Sequence, residues 1–298
     1  MDATFPFVKG HGTENDFVLL PDPDGSVHGD LDPALVARLC DRRAGLGADG
    51  VLRVIRTEAY DDPHAVAARG SATWFMDYRN ADGSTSEMCG NGIRVFARYL
   101  VDHEGVDPSR PIPVGTRTGV LTVTPDPSGE TFTVDMGEPR VLGETKVSVG
   151  PAAWPATHVS MGNPHAVAFV DSLDPAGEVG PLHDPPAHDP AVYPEGVNVE
   201  FVVRRGRQHV AMRVHERGSG ETRSCGTGAC AVMVATALAD GAERNTPYRV
   251  DVPGGTLHVT WTDAESGGRV LMTGPAVLVA RGTVLRNWLV DPTTDVRT

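Results

Sequence analysis

The stretch Glu87-Met88-Cys89-Gly90-Asn91-Gly92 leads directly into residues 93–101, where apolar residues recur at the spacing of one helix face. A second stretch, Ser224-Cys225-Gly226-Thr227-Gly228, leads into the apolar residues 229–235. Both read Cys-Gly-x-Gly at the predicted start of a helix. The second helix is apolar on almost every side, which predicts that it is buried in a core.

The two cysteines, at positions 89 and 225, are 136 residues apart in a chain of 298 residues, so one motif falls in each half. Short strand-like segments precede and follow each motif. We therefore predict an α+β fold of two pseudo-symmetric domains, each a curled, mostly antiparallel sheet around a central helix, with an active site in the cleft between them. The predicted domains are residues 1–136 plus 275–298, carrying Cys89, and residues 137–274, carrying Cys225.

Local signals give further expectations. Asp32-Pro33 is a good N-cap and N1 pair for a helix through Arg43, and residues 10–16 form a predicted polar loop. Predicted hairpins join residues 197–203 to 209–215, and 249–252 to 256–261. Residues 174–195 are a predicted surface loop, and the strand-like tail, residues 277–289, is predicted to return to the first domain.

Composition narrows the class of protein. Apolar residues make up 40% of the chain and charged residues 22%, as in ordinary globular proteins. The formal net charge of −13 argues against a nucleic-acid or anionic-membrane partner. We see no secretory signal, no membrane-spanning run and no disulfide framework among four cysteines, so we expect a reduced, cytoplasmic protein.

Cysteine at a helix start suits proton transfer. The partial positive charge and free amides of a helix N-terminus lower a thiol pKa and also suit a carboxylate. Inverting a carbon centre needs one group to remove a proton from one face while another delivers a proton to the opposite face. One cysteine per domain, Cys89 and Cys225, would supply that pair. We expect Cys40 and Cys230 to be ordinary buried core residues.

Around these motifs the chain resembles the diaminopimelate epimerase family along nearly its whole length. The resemblance rests on several segments in order: residues 12–17 (Gly-Thr-Glu-Asn-Asp-Phe), 80–84 (Asn-Ala-Asp-Gly-Ser), 88–92, 161–165 (Met-Gly-Asn-Pro-His), 216–222 (Glu-Arg-Gly-Ser-Gly-Glu-Thr) and 225–231. The resemblance implies a cofactor-independent isomerase, using neither pyridoxal phosphate nor metal. Such an enzyme interconverts LL- and meso-diaminopimelate in lysine and peptidoglycan precursor synthesis, and is typically a cytoplasmic homodimer.

The resemblance also implies roles for individual residues. Cys89 and Cys225 correspond to the two acid/base residues, and His165 and Glu216 to neighbours that set their protonation. The residues implied in substrate binding are Asn15, Asn80, Gly90, Asn91, Asn163, Asn198, Glu216, Arg217, Gly226 and Thr227. Among them, Arg217 could pair with the carboxylate at the far end of the substrate through two hydrogen bonds.

Three positions depart from the family pattern. Glu14 stands where many members carry glutamine or glycine, and Gly50 where some carry a glutamine that contacts substrate. Ala280 replaces a tyrosine that some relatives use in dimer contacts, so the dimer interface could differ.

Three other readings compete. A proline or hydroxyproline racemase-type enzyme would share the fold and both cysteines, but such relatives usually carry histidine after the first glycine, where this chain has Asn91. A non-catalytic amino-acid-binding module would need neither thiol. A thiol-redox or metal-binding protein is disfavoured because no Cys-x-x-Cys occurs and the His183-Asp184 and His188-Asp189 pairs lie in a proline-rich loop.

Overall fold

The computed structural model describes residues 4–289, and the flanking residues of the first predicted domain, 1–3 and 290–298, lie outside that range. The described chain divides into two compact units. The first holds the residues up to Gly12, Asp16–Phe132 and those from Ala276 onward, and the second holds Thr13–Asn15 and Thr133–Pro275.

The elements in the first part of the chain, residues 4–135, are, in order, β1 Thr4–Gly12, β2 Asn15–Pro21, α1 Pro33–Cys40, β3 Gly50–Arg56, a 3₁₀ turn Thr57–Ala59, α2 Pro63–Ala68, β4 Trp74–Asn80, α3 Gly90–His103, β5 Ile112–Thr116, β6 Gly119–Pro125 and β7 Thr131–Asp135. The next elements, which belong to the second unit, are β8 Arg140–Val149, β9 Ala152–Ser160, β10 Pro164–Phe169, β11 Ala187–His188, β12 Asn198–Gly206, β13 His209–Glu216, β14 Gly220–Thr222, α4 Gly226–Asp240, β15 Pro247–Val252, β16 Gly255–Trp261 and β17 Val270–Pro275. Finally, β18 Val277–Leu285 and α5 Arg286–Leu289 complete the first unit.

Strand pairing repeats between the units. In the first, β18–β1 is antiparallel, β2–β3 parallel, β3–β4 antiparallel, β4–β5 parallel and β5–β6 antiparallel. In the second, β8–β9 is antiparallel, β10–β12 parallel, β12–β13 antiparallel, β13–β15 parallel and β15–β16 antiparallel. The long helix follows β4 in one unit and the antiparallel pair β13–β14 in the other. Matching pair types in matching order confirm the predicted duplication and the mostly antiparallel sheets.

Each sheet surrounds its helix. Helix α3 contacts β1, β3, β4, β5, β6 and β18, and α4 contacts β9, β10, β12, β13, β15, β16 and β17. Ten residues of α3 and eleven of α4 are buried, so both helices are core elements. Burial of this much apolar surface is the main force that holds each unit together.

Several local expectations are confirmed. Asp32 caps α1 by accepting from the amide of Ala34 at 2.9 Å, and β18 pairs with β1, so the tail does return to the first unit. Both hairpins form as β12–β13 and β15–β16. Helix α1 ends at Cys40 instead of Arg43, because the Asp41 side chain accepts from the amides of Arg43 and Ala44 and turns the chain.

The predicted polar loop 10–16 is almost entirely strand. The turn consists of Thr13 and Glu14 alone, with φ of 51° and 62°. Consecutive left-handed residues are the geometry of a tight hairpin turn, which is usually filled by Asn-Gly, so Thr-Glu at these positions did not indicate a turn. The Thr13 hydroxyl lies 2.6 Å from that of Ser224, and Glu14 forms an ion pair with Arg223, which explains why these residues belong to the second unit and why position 14 carries a charge.

The predicted surface loop 174–195 covers part of the second sheet. Val179, Leu182 and Tyr193 are buried against Phe201 and the neighbouring strands, while His183, Asp184 and Asp189 are exposed. No helix between residues 4 and 289 has the length and apolar character needed to cross a bilayer.

Candidate active site

Cys89 and Cys225 are the N-cap residues of α3 and α4. Both adopt extended backbone angles, and each thiol folds back over the first helical turn. Sγ of Cys89 accepts from the amide of Gly92 at 3.4 Å, and Sγ of Cys225 accepts from the amide of Gly228 at 3.4 Å. Sulfur thus takes the position in which serine or aspartate usually caps a helix. The Cys-Gly-x-Gly repeat produces the same local structure twice.

The second glycine of each motif lies beneath the thiol. A methyl group at Gly92 would lie 3.3 Å from Cβ of Cys89, and one at Gly228 would lie 3.2 Å from Sγ of Cys225. The first amides of a helix have no acceptor within the helix, so those of residues 90–91 and 226–227 point along the axis toward any group at this end. An anion beside either thiol would meet these donors.

The Cys225 thiol is the more deeply buried of the two. Its residue is 5% exposed, whereas Cys89 is half-buried. Burial raises the pKa of Cys225 well above its ordinary value, and the negative charges of Glu216 and Glu200 raise it further. The hydroxyl of Thr227, 3.6 Å from Sγ, acts in the opposite direction. Within the second unit, the protonated thiol is therefore the favoured form of Cys225 at neutral pH.

Three of the predicted site residues form a hydrogen-bonded chain that ends at Cys225. His165, fully buried in β10, has Nε2 2.9 Å from Oδ1 of Asn163. Nδ2 of Asn163 donates to Oγ1 of Thr227 at 3.3 Å, and Thr227 contacts the thiol. The second unit therefore assembles Cys225, Thr227, Asn163 and His165 into one cluster.

Glu200, which we did not predict from the sequence, completes this chain. It is fully buried in β12, and its Oε1 lies 2.6 Å from Nδ1 of His165. The available signal was a carboxylate in the middle of the apolar run 197–203, where an ordinary strand would carry an apolar residue.

Asn198 and Arg217 are linked through the backbone. Nδ2 of Asn198 donates to the carbonyl of Pro164 at 3.1 Å, and its Oδ1 accepts from the amide of Arg217 at 2.9 Å. The Asn198 amide thus holds two segments in place. The exposed guanidinium of Arg217 donates to the carbonyl of Glu195 at 3.3 Å, and its Nη1 forms a solvent-exposed ion pair with the Glu195 carboxylate at 3.7 Å. Ion pairs of this exposed kind are weak, so a second carboxylate can compete for the guanidinium.

Glu216 ends β13 and is partly buried. Its Oε1 accepts from the hydroxyl of Thr222, which is held nearby by the pairing of β14 with β13. The carboxylate is close enough to raise the pKa of Cys225 by its charge.

In the first unit, Asn91 is buried and Asn80 half-buried. Oδ1 of Asn91 accepts from Nη2 of Arg94 at 2.9 Å, and Nη1 of Arg94 donates to the carbonyl of Gly90 at 3.1 Å. Asn80 donates to Oγ of Ser84 at 3.0 Å in the loop after β4. Arg94, fully buried and bonded to the first turn of α3, is a second residue that we did not predict, although it is a charged residue within the apolar run 93–101.

The remaining predicted residues have simpler surroundings. Asn15 is half-buried at the first position of β2 and is grouped with the second unit.

Cys40 and Cys230 are 4% and 0% exposed, as expected of core residues, and burial raises the pKa of Cys40 to about 11. Between residues 4 and 289, no three histidine, cysteine or acidic side chains are grouped as metal ligands.

Comparison with known proteins identifies the family to which the chain is similar. The family model described as diaminopimelate epimerase matches residues 7–142 and 157–279. A protein of Streptomyces coelicolor named diaminopimelate epimerase is 58% identical over 296 residues, covering 97% of this chain and 98% of that protein. A second, from Thermobifida fusca and of the same name, is 50% identical over 280 residues, covering 93% of this chain and 97% of its own length.

Solved structures share the fold at low sequence identity. A phenazine biosynthesis protein of the PhzF family from Bacillus anthracis superposes with a TM-score of 0.69 at 16% identity, covering 96% of this chain and all of that one. A hydroxyproline epimerase from Agrobacterium vitis gives a TM-score of 0.65 at 14% identity, covering 98% of this chain and 94% of its own. These likenesses confirm the predicted fold class.

Proposed function

Because the chain belongs to the diaminopimelate epimerase family, we propose that it is an isomerase that interconverts LL-2,6-diaminopimelate and meso-diaminopimelate. The observation that carries this proposal is the repeated placement of a cysteine at the N-cap of the central helix of each unit. Membership of the family indicates the substrate, and the two cysteines that cap the helices provide the acid and base groups of the proposed reaction.

Cys89 and Cys225 act as the two bases of the reaction. One thiolate takes the α-proton, so the C–H electron pair passes to the α-carbon and its carboxylate. The other thiol then delivers its proton to the opposite face of that carbon, and a new C–H bond forms. Each cycle leaves the first sulfur protonated and the second as thiolate, so the roles exchange in the reverse direction. No redox step or cofactor enters this sequence.

The helix N-termini stabilise the charge that develops. Amides of Gly90, Asn91, Gly226 and Thr227 serve as donors to the carboxylate at the reacting end of the substrate. The helices fix these donors before the reaction, so little free energy is spent on reorganisation when the carbanion forms. Such preorganised donors are usually the largest contribution to an enzyme's rate enhancement. Arg94 supports this arrangement by holding the Gly90 carbonyl and the Asn91 side chain.

The remaining predicted residues bind the substrate and adjust the thiols. Arg217 receives the far carboxylate, and Asn15, Asn80, Asn163 and Glu216 contact the amino and carboxylate groups. Asn198 contributes by fixing the Arg217 backbone. Glu216 and His165 tune the protonation of the thiols, with the Glu216 charge raising the pKa of Cys225.

We assign the enzyme to lysine and peptidoglycan precursor synthesis in the cytoplasm, and propose that it works as a homodimer. Val277, Val279 and Leu285 on β18 are 41%, 55% and 57% exposed, a set of apolar side chains suited to contact between two copies. Sedimentation of the wild type and of Val279→Asp tests the assembly: a dimer in the first and a monomer in the second are expected.

Proton exchange followed by NMR tests the reaction. Reduced, chelator-treated protein is incubated with LL-diaminopimelate in deuterated water, with proline as a parallel substrate. We expect loss of the α-proton signal and appearance of the meso isomer, both abolished in Cys89→Ala and Cys225→Ala. Cys40→Ala is the matched control, since that thiol is buried at the end of α1 and caps neither central helix. Exchange with proline alone, or with neither compound, would contradict the proposal.

A further inference from the structure

The turn between β1 and β2 consists of two residues that do not suit its shape. Thr13 and Glu14 have φ of 51° and 62°, the left-handed region in which tight hairpin turns usually place Asn-Gly or Gly-Gly. A β-branched residue such as threonine is an outlier there, because its Cβ crowds a carbonyl oxygen. Backbone strain of this kind persists only where surrounding contacts fix it, and it clusters at functional sites. The contacts of these two residues therefore require an explanation.

Thr13 is bonded to the residue that precedes Cys225. Thr13 and Ser224 are 2% and 3% exposed, and their hydroxyl oxygens lie 2.6 Å apart, so one hydroxyl donates to the other. A hydrogen bond in the protein interior is electrostatically stronger than one in water. This contact therefore fixes the turn against the segment that leads into α4.

Two further contacts hold the turn in the same place. Glu14 forms an ion pair with Arg223, whose Nη2 donates to the carbonyl of Pro253 at 2.9 Å and whose own carbonyl accepts from the amide of Gly254 at 2.8 Å. A methyl group at Gly254 would overlap the carbonyl oxygen of Thr13 and lie 2.9 Å from Cβ of Glu14. Three segments that are remote in sequence, residues 13–14, 223–224 and 253–254, thus meet within the second unit.

The repeated fold contains a corresponding turn with an ordinary sequence. Asn15 lies two residues before Phe17, where β2 begins to pair with β3. Asn163 lies two residues before His165, where β10 begins to pair with β12. The turn that leads to Asn163 has its left-handed backbone at Gly162, where φ is 97° and a methyl group would have nothing within 4 Å. A glycine is therefore sufficient for this backbone, and the fold does not require Thr-Glu at the corresponding place.

We propose that the Thr13-Glu14 turn is a positioning element for the reaction. By holding Ser224, it fixes the distance between Asn15, which follows the turn, and Cys225, which follows Ser224. Asn15 is a proposed substrate contact and Cys225 a proposed acid/base residue, so the inference rests on the proposed function. A proton passes between sulfur and the α-carbon only at short range, and a displacement of about 1 Å can lower the rate about 100-fold. The turn keeps the bound substrate and the thiol within that range.

Thr13→Gly tests the proposal, since glycine suits the left-handed backbone but removes the hydroxyl. We expect kcat for LL-diaminopimelate to fall about tenfold while KM changes less than about threefold, because no substrate contact is removed. Thr13→Ser keeps the hydroxyl and should recover most of the rate. Gln208→Gly is the matched control, because it makes the same change at a left-handed residue, with φ of 55°, in the turn between β12 and β13.

Gly254→Ala displaces the turn without changing its side chains. The added methyl group would overlap the Thr13 carbonyl oxygen, so the turn must move away from the 253–254 segment. We expect a loss of kcat similar to that of Thr13→Gly. Gly206→Ala is the control for the added methyl group, because nothing lies within 4 Å of it.

Alkylation of Cys225 by iodoacetamide tests the positioning without reference to turnover. Cys225 is 5% exposed, and loosening of the segment before it should expose the sulfur by local opening. We expect Cys225 to react at least about threefold faster in Thr13→Gly than in the wild type, as measured by mass spectrometry of the labelled peptide. Cys230, 0% exposed inside the same helix, should remain equally unreactive in both proteins and so reports any general unfolding.

The outcomes separate the two proposals. No turnover of diaminopimelate by the wild type would overturn the proposed function, while the alkylation rates would still test whether the turn holds the Cys225 segment. An equal kcat in Thr13→Gly and Gln208→Gly, or a rise in KM at constant kcat, would overturn the inference. So would an unchanged rate of Cys225 alkylation. If Thr13→Gly fails to fold, Ser224→Ala replaces it, and a wild-type kcat in that variant would overturn the inference.

Discussion

A methyl group at Gly228 would lie 2.8 Å from Oε1 of Glu200, so the second glycine of the Cys225 motif provides the space in which a buried carboxylate approaches a helix start. At Gly92 the corresponding neighbours are the side-chain carbons of Leu52 and Phe17, each at 3.4 Å. One sequence motif therefore serves a charged environment in one unit and an apolar environment in the other. The two thiols are alike in backbone geometry but not in surroundings.

Gly228→Ala should impair the enzyme. The added methyl group would contact both Glu200 and the Cys225 sulfur, and both are fixed by burial, so overpacking of about 1–3 kcal/mol is expected. We expect a loss of at least tenfold in kcat together with a lower midpoint of urea unfolding. Gly206→Ala is the control, because nothing lies within 4 Å of a methyl group there. Equal behaviour of the two variants would argue that the Glu200 side chain moves aside without cost.

Arg94→Lys should destabilise the first unit. A lysine cannot bond both the Asn91 side chain and the Gly90 carbonyl, and leaving a buried acceptor unsatisfied costs about 1–3 kcal/mol. Denaturant unfolding monitored by circular dichroism measures the change. Arg98→Lys, on the same helix but paired with Asp102 near the surface, should shift stability by less than about 1 kcal/mol. A larger effect at Arg98 than at Arg94 would contradict this account.

Arg217→Lys should weaken substrate binding more than catalysis. Lysine keeps the charge but loses the planar fork that pairs with a carboxylate through two bonds. We expect KM for LL-diaminopimelate to rise about tenfold with kcat changed by less than about threefold, which is the loss of one charged hydrogen bond. Arg204→Lys, remote from Cys225 and paired with Asp240, should leave both constants unchanged. A fall in kcat at constant KM would place Arg217 in the proton-transfer step.

His28→Phe should change how stability depends on pH. Burial lowers the pKa of His28 to about 4, and neither ring nitrogen has a hydrogen-bond partner among the residues that the structure describes, 4–289. Between pH 6.5 and 4 the unfolded chain takes up a proton that the folded chain refuses, so the free energy of unfolding falls as the pH falls. Phenylalanine keeps the edge-on contact with Phe5, whose ring centroid lies 4.8 Å away, and removes the titration. Unfolding at a series of pH values should show a flatter profile for His28→Phe than for the exposed control His258→Gln.

The sequence predicted the parts of the fold that depend on local patterns. The spacing of apolar residues and the capping residues located α3, α4 and the hairpins. An apolar helix face and an alternating strand each produce a regular pattern of apolar residues in the sequence. The duplication was visible because the same motif occurs twice. The Thr13-Glu14 turn was not, since its left-handed residues are held by Ser224 and Arg223, more than 200 positions away along the chain.

The candidate site was predictable only as far as the family motifs reach. Cys89, Cys225, Asn163 and His165 lie in recognisable segments. Glu200 and Arg94 do not, and their importance comes from partners that the fold supplies: an imidazole on the adjacent strand and the first turn of the same helix. The only sequence signal for Glu200 and for Arg94 was a charged residue inside an apolar run. That signal does not indicate which residue bonds the charged group.

The return of β18 to β1 has a consequence for the order in which the nascent chain can fold. Apart from residues 13–15, the second unit is one continuous segment, so all of its strands are synthesised before β18. Strand β1 is synthesised first yet waits for a partner that appears at residues 277–285. Until then its edge is open to pairing with other chains. Termination before residue 277 should therefore release an aggregation-prone polypeptide in which the second unit can fold while β1 still lacks its partner.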